Sequence, residues 1–213
     1  MIDPKKHARV TQQIVDCTKC ALSRTSGQPV ALATSPTVEP ELAIIGEAPG
    51  KQEADQGIPF VGRSGAVLDE TLLTIGTSRD QVGILNVVCC RPPKNRDPKP
   101  EEIDACSGHF NRQIRLLDVG VGVLLGNAAL RALRGPRVGI TMERGKAFWA
   151  NGMVWMPTFH PAYILRNPSK RVLFTDDLGM AWRISQGISP LPDIAIRDAV
   201  HLLQSELGGE VAS

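Results

Sequence analysis

The sequence predicts an α/β fold, a three-layer α/β/α domain built on a central, mostly parallel four-stranded sheet. Three observations carry that expectation. Short apolar runs of strand length stand at Leu42 to Ile45, Val82 to Val88 and Val119 to Leu125. Stretches with helical spacing of apolar residues lie between them, and Pro and Gly mark the junctions. Strands alternating with helices in this way are connected by crossovers and form a largely parallel sheet. With 213 residues, 42% of them apolar, the chain can bury one sizeable core. Residues 1 to 188 are therefore read as one domain and 189 to 213 as a carboxyl-terminal extension.

The amino-terminal segment is polar and helical in pattern, and an irregular Ser/Thr/Pro stretch follows from Ser23 to Pro40. The sheet begins at Leu42. After a long loop, Ser64 is placed to cap a helix that turns Val67, Leu68, Leu72 and Leu73 inward. Val82 to Val88 forms the second strand. Pro98 and Pro100 then announce a helix whose first turn holds Glu101 and Glu102 and whose apolar stripe is Ile103, Phe110, Ile114 and Leu117. Val119 to Leu125 is the third strand, and Asn127 is placed to cap a short helix after it. Asn151-Gly152, between Phe148-Trp149 and Met153-Val154-Trp155, marks a hairpin that delivers a strand running into Thr158-Phe159-His160. A helix from about Asp176 to Gln186 is stopped by Pro190 and Pro192, and a last amphipathic piece runs from Ile194 to Leu207.

The long loop from Gly46 to Gly65 leaves the carboxyl end of the first strand, where α/β sheets bind their ligands, and it carries Glu47, Glu53 and Phe60. Its glycines fit neither a phosphate loop nor a dinucleotide fingerprint, which disfavours a nucleotide cradle. The whole-chain balance, 24 basic against 22 acidic residues, does not announce a nucleic-acid partner. Local clusters do more: Arg91, Lys94, Arg96 and Lys99, then Arg131, Arg134 and Arg137, then Arg166, Lys170 and Arg171 fall in or beside predicted loops and favour a polyanion. No stretch approaches the roughly 18 apolar residues of a membrane span, and the first residues lack the apolar run of a signal peptide, so a cytoplasmic protein with no membrane partner is expected. Five cysteines in a reducing compartment are better read as metal or redox ligands than as a disulfide framework. By chemistry alone the thiols suit tetrahedral zinc, an iron-sulfur cluster or simple burial.

The loop Gly46-Glu-Ala-Pro-Gly50 with its continuation to Gly65, the segment Asn86-Val-Val-Cys-Cys-Arg-Pro-Pro-Lys-Asn-Arg96, the isolated Cys106, and His160-Pro-Ala-Tyr-Ile-Leu-Arg166 occur in an order and spacing that resemble the family 4 uracil-DNA glycosylases, the iron-sulfur branch of the uracil-DNA glycosylase superfamily. With Cys17 and Cys20 the similarity spans roughly residues 15 to 186. The resemblance implies the superfamily fold and a monofunctional glycosylase that hydrolyses the N-glycosidic bond of flipped-out uracil in DNA. His160 matches the histidine that hydrogen-bonds uracil O2 and steadies the leaving anion. Asn86 matches the amide that reads N3 and O4, Phe60 the ring that stacks on the base, and Glu53 the side chain near C5 that excludes a thymine methyl. Gly46 and Ala48 complete the substrate loop. Ala48 stands where another branch has a water-activating aspartate, which leaves Glu47 and Asn95 to position water or substrate. Tyr163 or Leu165 is expected to wedge into the duplex, with Arg166, Arg96 and Arg63 toward DNA. Cys17, Cys20, Cys90 and Cys106 match the ligands of a structural [4Fe-4S] cluster, zinc being the alternative, while Cys89 is left over.

Two departures stand out. Ala54 replaces the aspartate usual in the family's Glu-Asp pair, although Asp55 follows immediately, and Cys89 beside Cys90 makes an unusual pair; the Gly-Glu-Gln-Pro-Gly loop and basic histidine-bearing insertion of a branch that bonds covalently to DNA are both missing, which argues against covalent trapping. A monomer acting on uracil-containing DNA is expected. The rival readings are a same-fold enzyme with another deaminated-base preference and a non-catalytic iron-sulfur DNA-binding module.

Overall fold

A computed structural model describes residues 2–24, 27–35 and 38–190. The amino-terminal helix α1 (Pro4–Val15) starts at Asp3, whose side chain accepts the Lys5 amide. The core begins with β1 (Leu42–Gly46), buried along its whole length. It is followed by α2 (Lys51–Gln56), α3 (Arg63–Thr74) and β2 (Val82–Asn86), then α4 (Pro100–Leu117), β3 (Val121–Leu125), α5 (Gly126–Arg134) and α6 (Ile140–Glu143). A hairpin of β4 (Phe148–Ala150) and β5 (Met153–Thr158) leads into α7 (Pro161–Arg166) and α8 (Arg171–Ser185). The amphipathic piece foreseen from Ile194 to Leu207 lies outside the described residues.

The strands order as β2-β1-β3-β5-β4. The first four run parallel, and β4 adds an antiparallel edge through the pairs Phe148 with Trp155 and Ala150 with Met153. The sheet thus has five strands where four were expected, because both arms of the Asn151-Gly152 hairpin pair into it. Asn151 and Gly152 take φ of 51° and 77°, the left-handed pair that a two-residue hairpin turn requires. All four parallel strands are buried on both faces, which explains their unbroken apolar runs. Helix α8 lies across β5, β3 and β1 with α3 beside it, and α5 packs on the same central strands. Close approach in the sheet depends on small residues. Gly122 on β3 faces the indole of Trp155 on β5, and a Cβ there would collide with the ring.

Three local expectations are corrected. The Gly46 to Gly65 loop contains a helix, α2, closed by Gly57 at φ 72°. Helix α3 begins at Gly62 instead of being capped by Ser64, and the job falls to Glu53, whose Oε1 accepts the amides of Val61 (3.1 Å) and Gly62 (2.9 Å). Asn127 lies inside α5, and its Oδ1 accepts the Ile140 amide at 2.8 Å, fastening α6 to α5.

Candidate active site

The parallel strands deliver their carboxyl ends to one edge, and β1 lies where the chain's winding reverses, with β2 on one side and β3 on the other. Ligands of doubly wound sheets bind in that crevice. A cleft of about 560 Å³ opens there. Its walls include Glu47 and Ala48 after β1, Asn86 at the end of β2, Gly126 and Asn127 after β3, and Phe159 and His160 after β5.

Three groups form the floor. Asn86 is buried, and its Oδ1 has no hydrogen-bond partner. A buried acceptor left unmade costs free energy unless something arrives to satisfy it. The Phe60 ring lies against the same spot, since a Cβ on Gly46 would run into both the Asn86 amide and the Phe60 ring. Gly46 thus keeps the slot open. The Phe60 and His160 rings stand 5.8 Å apart between centroids, tilted by 32°.

His160 is the N-cap of α7. Its Nδ1 accepts the Ala162 amide at 3.1 Å, so in the neutral ring the hydrogen sits on Nε2, leaving that nitrogen as a donor. Burial, reinforced by the charge of Arg166, holds the imidazole pKa down at about 4. At neutral pH the ring is an uncharged, fixed donor. Glu47 is pushed the opposite way, to about 7, chiefly by burial and further by the charge of Asp97 and a hydrogen bond with it. Asp97 lines the same cleft.

Ala48, Glu53, Asn95, Arg96, Tyr163 and Arg166 also line the cleft. Several have prior engagements. The Glu53 carboxylate is committed through Oε1 to the Val61 and Gly62 amides. Asn95, at φ 54°, accepts Arg91 Nε on its Oδ1 at 2.7 Å. Arg96 forms a bidentate pair with the almost fully buried Glu102, at 2.8 and 2.6 Å. Glu102 in turn receives the Lys99 amide at the start of α4. Tyr163 packs its ring on Phe159 at 4.8 Å, whereas Leu165 is exposed. Of the two wedge candidates, Leu165 is the exposed one and Tyr163 is half-buried. Arg63 is exposed at the start of α3 but does not line the cleft, and neither does Leu165.

Sequence reasoning passed over Asp97, Thr141 and Arg79. Asp97 could have been found as the carboxylate two positions beyond Asn95. Thr141 comes from a separate element, and nothing local marks it. Arg79 donates from Nη1 to the Pro59 carbonyl at 3.2 Å, from Nη2 to the Phe60 carbonyl and from Nε to Asp69.

A second, smaller cavity is lined by Cys17, Cys20, Cys89, Cys90 and Cys106. The cysteine pair following α1 thereby meets the loop after β2 and the middle of α4. Among the described residues no three Cys, His, Asp or Glu side chains converge on one metal-ion position. The cavity holds about 20 Å³, and Lys19, Leu22, Glu102 and His109 share its walls. Cys89 is buried, takes a hydrogen bond from Gln113 Nε2 on its sulfur at 3.6 Å, and donates its amide to Cys106 Sγ at 3.4 Å.

A doubly wound sheet with a buried, unsatisfied amide oxygen, an aromatic ring and a neutral histidine lining the cleft at its switch point defines an α/β protein with a ligand site at the carboxyl ends of its strands. The Uracil DNA glycosylase superfamily profile matches residues 33–183. A type-4 uracil-DNA glycosylase of Thermotoga maritima is 40% identical over 174 residues, covering 78% of this chain and 88% of that protein. Type-4 uracil-DNA glycosylases of Sulfurisphaera tokodaii and Archaeoglobus fulgidus are 37% and 34% identical, each over 79% of this chain, covering 80% and 87% of theirs. The crystal structure of the SMUG2 protein of Pedobacter heparinus shares the fold at a TM-score of 0.52 and 12% identity, over 85% of this chain and 98% of that one. The chain belongs to the uracil DNA glycosylase superfamily, among its type-4 uracil-DNA glycosylases.

Proposed function

We propose that the chain hydrolyses the N-glycosidic bond of uracil flipped out of DNA and leaves an abasic site. The observation that carries this reading is the partnerless Oδ1 of Asn86, buried beside the Phe60 ring and across from His160. Uracil offers a face to the ring, an N3 hydrogen to that oxygen and carbonyl oxygens to the Asn86 amide hydrogens and to His160 Nε2. As the glycosidic bond breaks, charge grows on the departing base. A donor already fixed in a dry site stabilises that charge without having to reorganise. Glu47 and Asn95 hold the attacking water or the sugar, Leu165 fills the gap left by the base, and Arg166 meets phosphate. Glu53, which lines the cleft, stands near the C5 edge of the base and excludes a thymine methyl. Incubating the protein with an end-labelled oligonucleotide carrying one uracil, then cleaving with alkali, tests the reading. Strand scission that depends on uracil supports it, and intact strands from folded protein would exclude it.

Glu47 gives the pH dependence its sign. A carboxyl raised to about 7 is half protonated near neutrality. If the carboxylate positions water, single-turnover rates rise with pH through about 7, and Glu47→Gln removes that limb and leaves a flat, lower profile. The stability check has the opposite slope. The folded state holds the proton that the unfolded chain releases near 4.3, so stability falls as pH rises from there to about 7. Glu47→Gln flattens that slope as well, and a urea midpoint series across pH measures it.

The same proposal assigns a structural [4Fe-4S] cluster to Cys17, Cys20, Cys90 and Cys106. Four soft thiolates suit it, and all four of these cysteines line one cavity. Held there, such a group would tie the chain after α1 to the loop carrying Arg91, Asn95 and Arg96. No redox step is needed for hydrolysis. Anaerobically purified protein is expected to be brown with four equivalents of iron, and Cys90→Ala to lose the colour. Zinc at one equivalent without iron would end the assignment.

A further inference from the structure

Phe60 has the backbone conformation least suited to its side chain. At φ 55° it sits in the left-handed region, which a bulky residue enters only when its surroundings insist. What insists is visible on both sides of it. The Glu53 carboxylate holds the following amides, those of Val61 and Gly62. The Arg79 guanidinium holds the preceding carbonyls, Pro59 at 3.2 Å through Nη1 and Phe60 itself through Nη2. Arg79 is in turn aimed by its Nε pairing with Asp69 on α3, and it lies in the turn that opens β2. Gly65 leaves room for this, since a Cβ there would fall on the Phe60 carbonyl oxygen. The fork is the point: a planar guanidinium satisfies two successive carbonyls and a carboxylate at once, which a lysine ammonium cannot reproduce.

We infer that Arg79 is a positioning residue for base excision, which acts through Phe60 by locking its backbone in the left-handed conformation that turns the ring into the base slot. The inference rests on the glycosylase reading of the cleft. Without the fork, Phe60 relaxes to an ordinary backbone conformation and its ring leaves the slot beside Asn86 and His160. Arg79 touches neither the base nor the DNA.

The test is a mutant cycle on single-turnover uracil excision with wild type, Arg79→Ala, Phe60→Ala and the double variant. Arg79→Ala is expected to lose about 10-fold to 100-fold, in line with a misplaced first contact. The double variant is expected to match Phe60→Ala within about 3-fold, because the two act as one unit. The dependence of DNA affinity on salt should be unchanged in Arg79→Ala, as no phosphate contact is removed. Arg79→Lys keeps the charge and most of the stem, and is expected to lose nearly as much activity while melting close to wild type. It serves if the alanine variant folds poorly. Losses that multiply in the double variant, or full activity in Arg79→Lys, overturn the inference while leaving the glycosylase reading intact. A wild type that releases no uracil sinks both.

Discussion

Replacing His160 with alanine is expected to lower single-turnover excision of uracil by about 100-fold to 1,000-fold, the usual loss when one preorganised donor to a developing anion is removed. The binding of uracil-containing DNA should change far less, because a contact that strengthens only as the bond breaks is felt in the chemical step. The pH profile separates the neutral donor from its alternative. With its pKa held at about 4, the ring keeps one protonation state across the neutral range. The wild-type rate should therefore show no rise attributable to an imidazolium as pH falls below 6.5. The Glu47→Gln background isolates this, since the Glu47 limb is then gone. A rate that climbs on acidification through 6 in that background would replace the neutral donor with a charged one. The same shift has a cost in acid. The unfolded chain binds a proton near 6.5 that the folded protein refuses until about 4, so His160 removes stability progressively as pH falls through that window.

The second large effect is expected in stability. Asp177 on α8 is buried and accepts from Arg144 Nε at 2.9 Å, from Arg144 Nη2 and from the Thr158 hydroxyl at 2.6 Å. Burial raises its pKa, and the hydrogen bonds from Arg144 and Thr158 offset that only in part. Arg144 also donates to the Leu173 carbonyl at 3.2 Å and lies 5.7 Å from the centre of the Phe159 ring. This network therefore joins α6, α8 and the end of β5, two residues before His160. Asp177→Ala leaves a partly buried guanidinium uncompensated, which costs about 3–5 kcal/mol. For a domain of this size that is a fall in Tm of roughly 6–20 °C. Asp177→Asn keeps the shape and an acceptor and should lose less. A Tm within about 2 °C of wild type for the alanine variant would mean that the network does not hold the strand end.

Much of this was legible in the sequence because it is written in local chemistry. Parallel strands buried on both faces must read as unbroken apolar runs, and β1, β2 and β3 do. Asn151-Gly152 announced its hairpin because few other dipeptides accept two left-handed residues in succession. The count of four left out β4, the three-residue hairpin arm at Phe148–Ala150, because only its pairing with β5 makes it a strand of the sheet. Ser64 and Asn127 were plausible caps by residue type, yet both lie inside their helices, and the amides at the start of α3 are met by Glu53, which belongs to α2. The cleft residues His160, Asn86 and Phe60 came from motifs, whereas Asp97, Thr141 and Arg79 arrive from other elements and carry no local mark.

By itself, the sequence determined the α/β class, the strand ends that build the cleft, the family and several of the residues that line the cleft, since periodicity and motif spacing are properties of neighbours along the chain. Only the tertiary structure decided that His160 Nδ1 is taken by the Ala162 amide, that Glu47 meets Asp97, that Arg96 is already paired with Glu102, that Leu165 is exposed while Tyr163 packs on Phe159, and that Arg79 grips the backbone of Phe60. Tautomer, pKa and availability depend on burial and on partners distant in the chain, and those exist only once the fold has brought them together.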